Sequence, residues 1–248
     1  MSFCSHIFFD LDNTLTRSRS LITPHMQKAL FSLTNVVDVI IVSGAEEAQI
    51  KKQLTPIFDK ALYLLAQNGN HAVHKNSELL WRHFLNETQK KEASAHIQNL
   101  KLSFKEPDVI DEDTIQDRGC QIAYSVIGHT APVSRKEMWD PSASKRAWGL
   151  TQNPFVSETL EVRIGGTTCF DYFEKGRNKG KNINDLLARF GWRENECLYV
   201  GDALYIGGND ETVVGVIPHQ SVLNPSETLV HIQEILKRNI VQPSLKGN

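Results

Sequence analysis

Two carboxylates, Asp10 and Asp12, follow a short apolar run close to the N-terminus. The run has the length of a buried strand, and ligands of open α/β sheets bind outside the carboxyl ends of their strands. Two carboxylates that converge there repel each other, so they need a cation or a shared proton. We interpret Asp10 as a nucleophile that attacks phosphorus and Asp12 as the general acid/base. The alternative is a strand followed by an ordinary turn, since Asp, Asn and Thr all favour turns.

Three further polar groups lie at comparable places later in the chain. Ser43 follows an apolar run at 37–42, and a hydroxyl with helix-starting amides behind it is a good phosphate contact. An ordinary serine helix cap is the alternative. Lys179 precedes a predicted helix, where the alternative is a lysine that faces solvent. Asp202 follows the apolar run 197–200, and a glycine-rich loop with Asn209 and Asp210 comes next.

The elements that must position these groups alternate between strands and helices in the N-terminal third. Strands are predicted at 37–42 and 61–66, helices at 24–34 and 45–54, and a hairpin at 71–81. This spacing is typical of βαβ units and a parallel sheet. The same pattern resumes at Lys179, with a helix predicted at 182–190, strands at 197–200 and 213–217, and a closing helix at 225–238.

The middle of the chain has a different pattern. It combines a polar amphipathic helix, short helical pieces broken at Pro141, and strands at 119–127, 160–164 and 167–173. We therefore expect an α/β fold in which a parallel-sheet core, residues 1–82 and 175–248, carries an inserted α+β cap at residues 83–174.

Composition excludes several classes of function. A net charge of -2 over 248 residues does not indicate a nucleic-acid-binding surface. No run of about 18 apolar residues that could span a bilayer occurs, so no membrane partner is expected. The four cysteines have neither zinc-site nor disulfide-framework spacing, which favours reduced thiols in a cytoplasmic protein.

The order of these groups resembles the motifs of the haloacid dehalogenase superfamily, the Mg²⁺-dependent phosphotransferases. Residues 10–14 match its Asp-x-Asp-x-Thr motif, and Ser43, Lys179 and Gly201-Asp202 with Asn209-Asp210 match the other three. The resemblance implies a Rossmann-like core. It also implies that Asp10, the backbone carbonyl of Asp12, and Asp202 hold Mg²⁺, with Asn209 and Asp210 as further ligands or as their support. Ser43 and Lys179 would balance the charge of the phosphoryl oxygens.

The cap is similar to the type IIB branch of that superfamily, in particular to eukaryotic-type phosphomannomutases and their bacterial hydrolase relatives. The matching stretches are 118–122, 127–128, 135–137, Gly165-Gly166 with Phe170-Asp171, and 207–210. In that family, cap arginines bind the distal phosphate of a hexose bisphosphate, and guanidinium groups suit phosphate because they pair with it in bidentate geometry. The resemblance assigns this role to Arg118 and Arg135 and implies substrate contacts for Gly44 and Asp171. An exposed surface residue is the alternative for both arginines.

Three departures from the mutase pattern decide the expected reaction. His129 occupies the third cap arginine position, Cys169 replaces a sugar-contacting serine, and Ser43-Gly44 has the plainer hydrolase form. A weaker hold on the distal phosphate favours release to water, so we expect a sugar-phosphate phosphatase. A mutase that interconverts hexose 1- and 6-phosphates is the first alternative, and a non-catalytic binding protein on this fold is the second. Dimers formed through the cap occur in the family, so a homodimer of that kind is also considered.

Overall fold

The computed structural model describes residues 4–55 and 61–241, and it contains two β-sheets. The strands are β1 (His6–Phe9), β2 (Asp38–Val42), β3 (Tyr63–Ala66), β4 (His71–Val73), β5 (Leu79–Arg82), β6 (Ile115–Asp117), β7 (Ile122–Ser125), β8 (Leu160–Gly165), β9 (Cys169–Glu174), β10 (Cys197–Gly201) and β11 (His219–Ser221). The helices are α1 (Pro24–Thr34), α2 (Glu47–Leu54), α3 (Glu87–Ser103), α4 (Val133–Trp139), α5 (Ser144–Gln152), α6 (Lys179–Phe190) and α7 (Pro225–Val241). No helix within these described ranges is long and apolar enough to cross a membrane.

The larger sheet has the strand order β11-β10-β1-β2-β3-β4-β5. It is parallel from β11 to β3, and β4 and β5 add an antiparallel hairpin. Strand β1 lies between β10 and β2, and all four of its residues are buried. Ile7 and Phe9 pack on the side of α1 and α7, whereas Phe8 packs on the side of α6. Burial on both faces explains why the strand reads as a continuous apolar run.

Local sequence explains where the core helices begin. Thr23 caps α1, and Pro24 occupies its first turn, where the missing N–H costs no hydrogen bond. Asn178 caps α6 by accepting a hydrogen bond from the Lys181 N–H. This cap starts α6 at Lys179, three residues before the predicted start at 182, and it places Lys179 in the first turn.

The smaller sheet is antiparallel, with the order β6-β7-β9-β8. Its apolar face packs against α3, with Tyr124, Phe170 and Tyr172 among the buried side chains. The strand predicted at 119–127 is shorter in the structure, and β6 was not predicted. All strands of the smaller sheet lie between residues 115 and 174, and we keep 82/83 and 174/175 as the proposed domain boundaries.

The strand predicted at 213–217 is wrong. The structure has a 3-10 turn at Glu211–Val213, and the last strand of the sheet is β11. Gly215 has a φ of +86°, a left-handed conformation that breaks an extended run. Val213 and Ile217 are nevertheless buried in the core beside α6. Their apolar spacing therefore indicated burial correctly but did not indicate a strand.

Candidate active site

One pocket lies between the carboxyl ends of the core strands and the cap, and its volume is about 1050 Å³ including its open mouth. Its lining includes most of the sequence-predicted site residues, namely Asp10, Asp12, Ser43, Gly44, Arg118, Asp171, Asp202 and Asn209. Lys179 and Asp210 are buried beside them and bond to each other. Of the predicted residues, Arg135 lies outside the pocket.

Asp10 and Lys179 form the buried centre of the core end. The Asp10 N–H continues the β1–β10 ladder by donating to the Val200 carbonyl oxygen. Lys179 Nζ donates to Asp10 Oδ1 at 2.6 Å and to Asp210 Oδ1 at 2.7 Å. Burial by itself would lower the pKa of Lys179, but the carboxylates of Asp10 and Asp210 raise it above its usual value. The lysine therefore stays charged beside the proposed nucleophile.

The acidic residues at this end suit a divalent cation. Asp10, Asp202 and Asp210 each offer an oxygen within 4.8 Å of the others. Three ionised carboxylates and the single Lys179 ammonium leave two negative charges, which a divalent ion would neutralise. Burial, with Asp210 close by, raises the pKa of Asp202 to about 6, and burial also raises the pKa of Asp10. Because Mg²⁺ prefers carboxylate oxygens, the residues present fit that ion.

Asp12 stands apart from this cluster, at the edge of a tight turn. Asn13 has a φ of +64°, and its N–H donates to the Thr16 carbonyl oxygen at 2.6 Å. Asp12 Oδ1 accepts hydrogen bonds from the Arg19 N–H and from Gln53 Nε2, both at 2.9 Å. The proposed acid/base is thus oriented by two donors. Sequence reasoning missed Gln53, although a glutamine three residues after the buried Ile50 on α2 is a signal of a buried polar role.

Ser43 and Gly44 line the pocket where the core meets the cap. The Ser43 hydroxyl lines the pocket and accepts a hydrogen bond from the Ala45 N–H at 3.1 Å in a turn before α2. It is not a helix cap, because α2 begins at Glu47 rather than at the predicted residue 45, and Glu46 takes the cap position. A Cβ atom on Gly44 would lie 3.0 Å from Asp171 Oδ2. Glycine therefore lets the cap carboxylate approach the core closely.

Asp171 is a buried carboxylate on the cap side of the pocket. Burial raises its pKa, and Asp171 Oδ1 has no hydrogen-bond partner among the described residues. A Cβ atom on Gly165 would lie 2.1 Å from Asp171 Oδ2, so that glycine also makes room for the carboxylate. An acceptor oxygen held in this way suits a hydroxyl group of a ligand.

Three cations line the cap end of the pocket and bond to neutral acceptors. Arg118 donates to the Gly44 carbonyl oxygen at 2.7 Å and to the Gln116 side chain at 2.9 Å. Arg19, from the core, donates to Gln116 and to both Nδ1 and the carbonyl oxygen of His129. Lys136 donates to the same His129 carbonyl oxygen at 2.5 Å. Within the described part of the chain, none of the three cations forms an ion pair.

His129 adds no charge to this end of the pocket. Burial, together with the positive charges of Arg118 and Arg19, lowers its pKa to about 3. Its Nε2 lies 3.2 Å from the Ala123 carbonyl oxygen and donates to it, which leaves Nδ1 to accept from Arg19. A further pocket cation, Arg146, is neutralised by a buried ion pair with Asp140 at 2.8 Å.

Lys136, rather than the predicted Arg135, lines the pocket. The half-buried Arg135 side chain donates to the Pro107 carbonyl oxygen and does not line the pocket, whereas Lys136 is buried and lines it. Consecutive residues of a helix point about 100° apart, so only one of the two can face the pocket. The sequence spacing could have indicated Lys136, because this lysine shares a helix face with the buried Trp139 three residues later.

Direct bonds join the cap to the core around the pocket. Asn68 Nδ2 donates to the cap residue Gln121 at 2.7 Å in a buried contact. At the rim, Arg17 of the core pairs with Glu137 of the cap, and Arg163 of the cap lies 3.4 Å from Glu211 of the core. The cap is therefore docked over the pocket in this structure.

Comparison with known proteins gives a consistent result. A family model described as eukaryotic phosphomannomutase matches residues 26–238. The phosphomannomutase of Solanum lycopersicum is 29% identical over 237 residues, covering 89% of this chain and 90% of that protein. The phosphomannomutase of Dendrobium officinale is 30% identical over 245 residues, covering 90% of each. These relatives support the mutase alternative better than the phosphatase expected from the sequence.

The solved structures show the same fold at much lower identity. The IMP-bound, N-terminally truncated IMP-nucleotidase of Plasmodium falciparum superposes with a TM-score of 0.65 at 16% identity, covering 95% of this chain and 68% of that one. At this identity the likeness concerns the fold alone, and the expected α/β core with a parallel sheet is confirmed.

Proposed function

The chain belongs to the eukaryotic phosphomannomutase family and is a phosphotransferase of the haloacid dehalogenase superfamily, and from that premise we propose that it is a Mg²⁺-dependent mutase that interconverts hexose 1- and 6-phosphates. The observation that carries the proposal is a single pocket with two oppositely charged ends. A mutase must hold a bisphosphate, so it needs one phosphate site at the nucleophile and a second one opposite. A phosphatase needs only the first.

The core end supplies the groups for phosphoryl transfer. The Asp10 carboxylate attacks phosphorus, the bond from phosphorus to the sugar oxygen breaks, and Asp12 gives that oxygen a proton. In the second half, another sugar hydroxyl attacks the phosphorus of the aspartyl-phosphate, the bond from phosphorus to Asp10 breaks to restore the carboxylate, and Asp12 takes the proton of the hydroxyl. Lys179 and Ser43 stabilise the negative phosphoryl oxygens. Mg²⁺, when held by Asp10, Asp202 and the Asp12 backbone carbonyl, would supply additional neutralising charge.

The cap end would bind the other phosphate of the bisphosphate. The side chains of Arg19, Arg118 and Lys136 bond only to carbonyl, amide and imidazole acceptors within the described residues, so their positive charges have no carboxylate partner. A doubly charged phosphate is the kind of ligand that neutralises such a group of cations. Asp171 would accept a hydrogen bond from a sugar hydroxyl between the two phosphates. The cap bonds around the pocket would keep water out during the reaction.

One observation favours the second candidate, a sugar-phosphate phosphatase. His129 is neutral at a place where the family resemblance implies an arginine, so the cap end has one positive charge fewer. A weaker hold on the bisphosphate would release it before it turns end over end, and water would then attack the aspartyl-phosphate.

Supplying mannose 1-phosphate, Mg²⁺ and a trace of hexose 1,6-bisphosphate separates the candidates. We expect mannose 6-phosphate to form faster than inorganic phosphate. Faster release of phosphate would instead establish the phosphatase. Absence of Mg²⁺-dependent turnover of p-nitrophenyl phosphate and of a panel of sugar phosphates would support the non-catalytic alternative. The Asp10→Asn variant is the blank for each assay.

We also propose a homodimer through the cap and a cytoplasmic location. The cap exposes the apolar side chains of Leu102, Met138, Trp148 and Val156, which a partner cap could cover. Sedimentation should then report twice the 28.0 kDa mass of the chain. A monomer at micromolar concentration would remove the dimer from the proposal.

A further inference from the structure

Tyr199 is a buried tyrosine that neither the motifs nor the proposed mechanism uses. It lies on β10 with no exposed surface, two residues before Gly201. Its hydroxyl lies among the acids at the core end and donates to Asp210 Oδ1 at 2.6 Å. A phenol in the middle of an apolar strand leaves its hydroxyl to be satisfied, and here the partner is a carboxylate next to the catalytic groups.

Asp210 receives hydrogen bonds from three different segments. Its Oδ1 accepts from Tyr199 on β10 and from Lys179 Nζ on α6, the latter at 2.7 Å. Its Oδ2 accepts from the Ala203 N–H, in the loop after β10, at 3.2 Å. The carboxylate is completely buried, so these donors fix both its position and its plane.

The position of the Lys179 ammonium depends on this carboxylate. A lysine side chain has four flexible carbons and an ammonium without directional preference, so its partners decide where the charge lies. Lys179 Nζ has Asp10 Oδ1 at 2.6 Å on one side and Asp210 Oδ1 on the other, with the Tyr199 hydroxyl 3.5 Å away.

We propose that the Tyr199 hydroxyl is a positioning group for phosphoryl transfer, because it fixes the Asp210 carboxylate that holds the Lys179 ammonium against the nucleophile Asp10. The inference rests on the phosphotransferase chemistry of the core and does not depend on the choice between mutase and phosphatase.

The inference also assigns different roles to the acids of the core end. Both oxygens of Asp210 are engaged by protein donors, whereas Thr14 is the described partner of Asp202 through one oxygen, so Asp10 and Asp202 are the carboxylates left for a metal.

The test compares Tyr199→Phe with Tyr172→Phe. Tyr172 is an equally buried tyrosine whose hydroxyl bonds to His96 Nδ1 at 2.7 Å in the apolar core of the cap, and it does not line the pocket. Both variants lose one buried tyrosine hydrogen bond, so both should lose similar thermal stability. Hydrolysis of p-nitrophenyl phosphate at saturating Mg²⁺ gives kcat and KM without requiring a sugar substrate. Calorimetric titration with Mg²⁺ gives the metal affinity independently of turnover.

For Tyr199→Phe we expect kcat to fall about tenfold, the order of one hydrogen bond to a charged group, with KM and the Mg²⁺ dissociation constant nearly unchanged. Tyr172→Phe should keep the kcat of the unmodified protein. Because Tyr199 acts through Asp210, the double variant Tyr199→Phe/Asp210→Asn should be no slower than Asp210→Asn alone.

Three outcomes would overturn the inference. The first is equal kcat for Tyr199→Phe and Tyr172→Phe. The second is weaker Mg²⁺ binding by Tyr199→Phe with kcat retained, since Asp210 would then be a metal ligand. The third is an additive loss in the double variant, and if Tyr199→Phe alone folds poorly, an unchanged kcat in Asp210→Asn overturns the inference instead. A protein that acts only as a phosphatase would leave the inference intact, whereas one that never hydrolyses p-nitrophenyl phosphate would remove it.

Discussion

Positively charged side chains have different partners at the two ends of the pocket. At the core end, Lys179 lies between two carboxylates, and every group of the cluster is held by a neighbouring segment of the core. At the cap end, Arg118 and Lys136 are also buried, yet they donate to carbonyl and amide oxygens and have no carboxylate partner among the described residues. The charged groups at the core end therefore pair with one another, whereas the cations at the cap end are positioned to bind an anion from solution.

This difference has an energetic basis. Removing an ion from water without a counter-charge costs several kcal/mol even after relaxation. A fold has no structural reason to accept that cost at several neighbouring positions, so a group of buried, unpaired cations indicates an anion-binding site. The three carboxylates and one ammonium of the core end leave two negative charges, whereas the cap end carries three cations beside the Asp171 carboxylate.

Removing the nucleophile should have the largest effect. Asp10→Asn should lower turnover of every phosphate ester by at least about 10³-fold, because the amide cannot form the covalent intermediate. Asp38→Asn, which changes a carboxylate that pairs with His6 and Lys75 outside the pocket, is the matched control and should retain activity. Initial rates with p-nitrophenyl phosphate and hexose phosphates measure both. Retained turnover in Asp10→Asn would mean that the nucleophile is another residue.

Removing one cation of the cap end should slow isomerisation but not hydrolysis. Lys136→Ala should slow mannose 1-phosphate isomerisation about 10- to 100-fold, the value of a charge-assisted contact, and leave p-nitrophenyl phosphate hydrolysis nearly unchanged. Arg135→Ala removes the neighbouring charge, which does not line the pocket, and is the control. A larger loss for Arg135→Ala would restore the assignment based on the family resemblance. Equal losses in both reactions would show that Lys136 does not serve a distal phosphate.

Disturbing the acid/base should affect both reactions equally. Gln53→Leu removes the side-chain donor to Asp12 and should lower kcat about tenfold without a comparable change in KM, since Asp12 acts in the transition state of each transfer. Gln27→Leu, which loses a bond to Thr55 away from the pocket, is the control. A selective loss of isomerisation in Gln53→Leu would mean that this glutamine contacts the substrate rather than Asp12.

The smallest effect concerns the neutral histidine of the cap end. The pKa of His129 is about 3 in the folded protein and about 6.5 when unfolded, so below pH 6.5 the unfolded chain binds a proton that the folded chain does not. His129 should therefore lower the free energy of unfolding by about 1–2 kcal/mol between pH 6.5 and pH 5. Urea unfolding of His129→Gln should show a shallower loss over this interval. Identical slopes would indicate that His129 is charged in the folded state.

The sequence predicted the core end better than the cap end, for a physical reason. Asp10, Ser43 and Asp202 each follow a buried parallel strand, and such strands end at one edge of the sheet, so their positions follow from apolar run lengths alone. The cap cations depend on which side of a helix faces a different domain. Arg135 and Lys136 are consecutive residues of α4, so the rotation of this helix about its axis decides which of them faces the pocket. Only packing against the rest of the cap fixes that rotation.

At residues 213–217, buried apolar side chains do not belong to a strand. Val213 and Ile217 fill the core from a turn, and no feature of their apolar spacing distinguishes that from a strand. Gln53 and Tyr199 illustrate a related limit. Each is a polar group on an otherwise apolar face, and the partner that explains it is 41 residues away for Gln53 and 11 residues away for Tyr199.

The central position of β1 has a consequence for synthesis of the protein. Its two neighbours are β2, which the ribosome makes soon afterwards, and β10, which begins only at Cys197. Until that segment emerges, the nascent chain would expose one unpaired strand edge with the apolar side chains of residues 7–9, which is the kind of surface that chaperones cover and that aggregates recruit. Asp10 and Lys179 are 169 residues apart, so a chain released early would carry the nucleophile without its ammonium and would be inert.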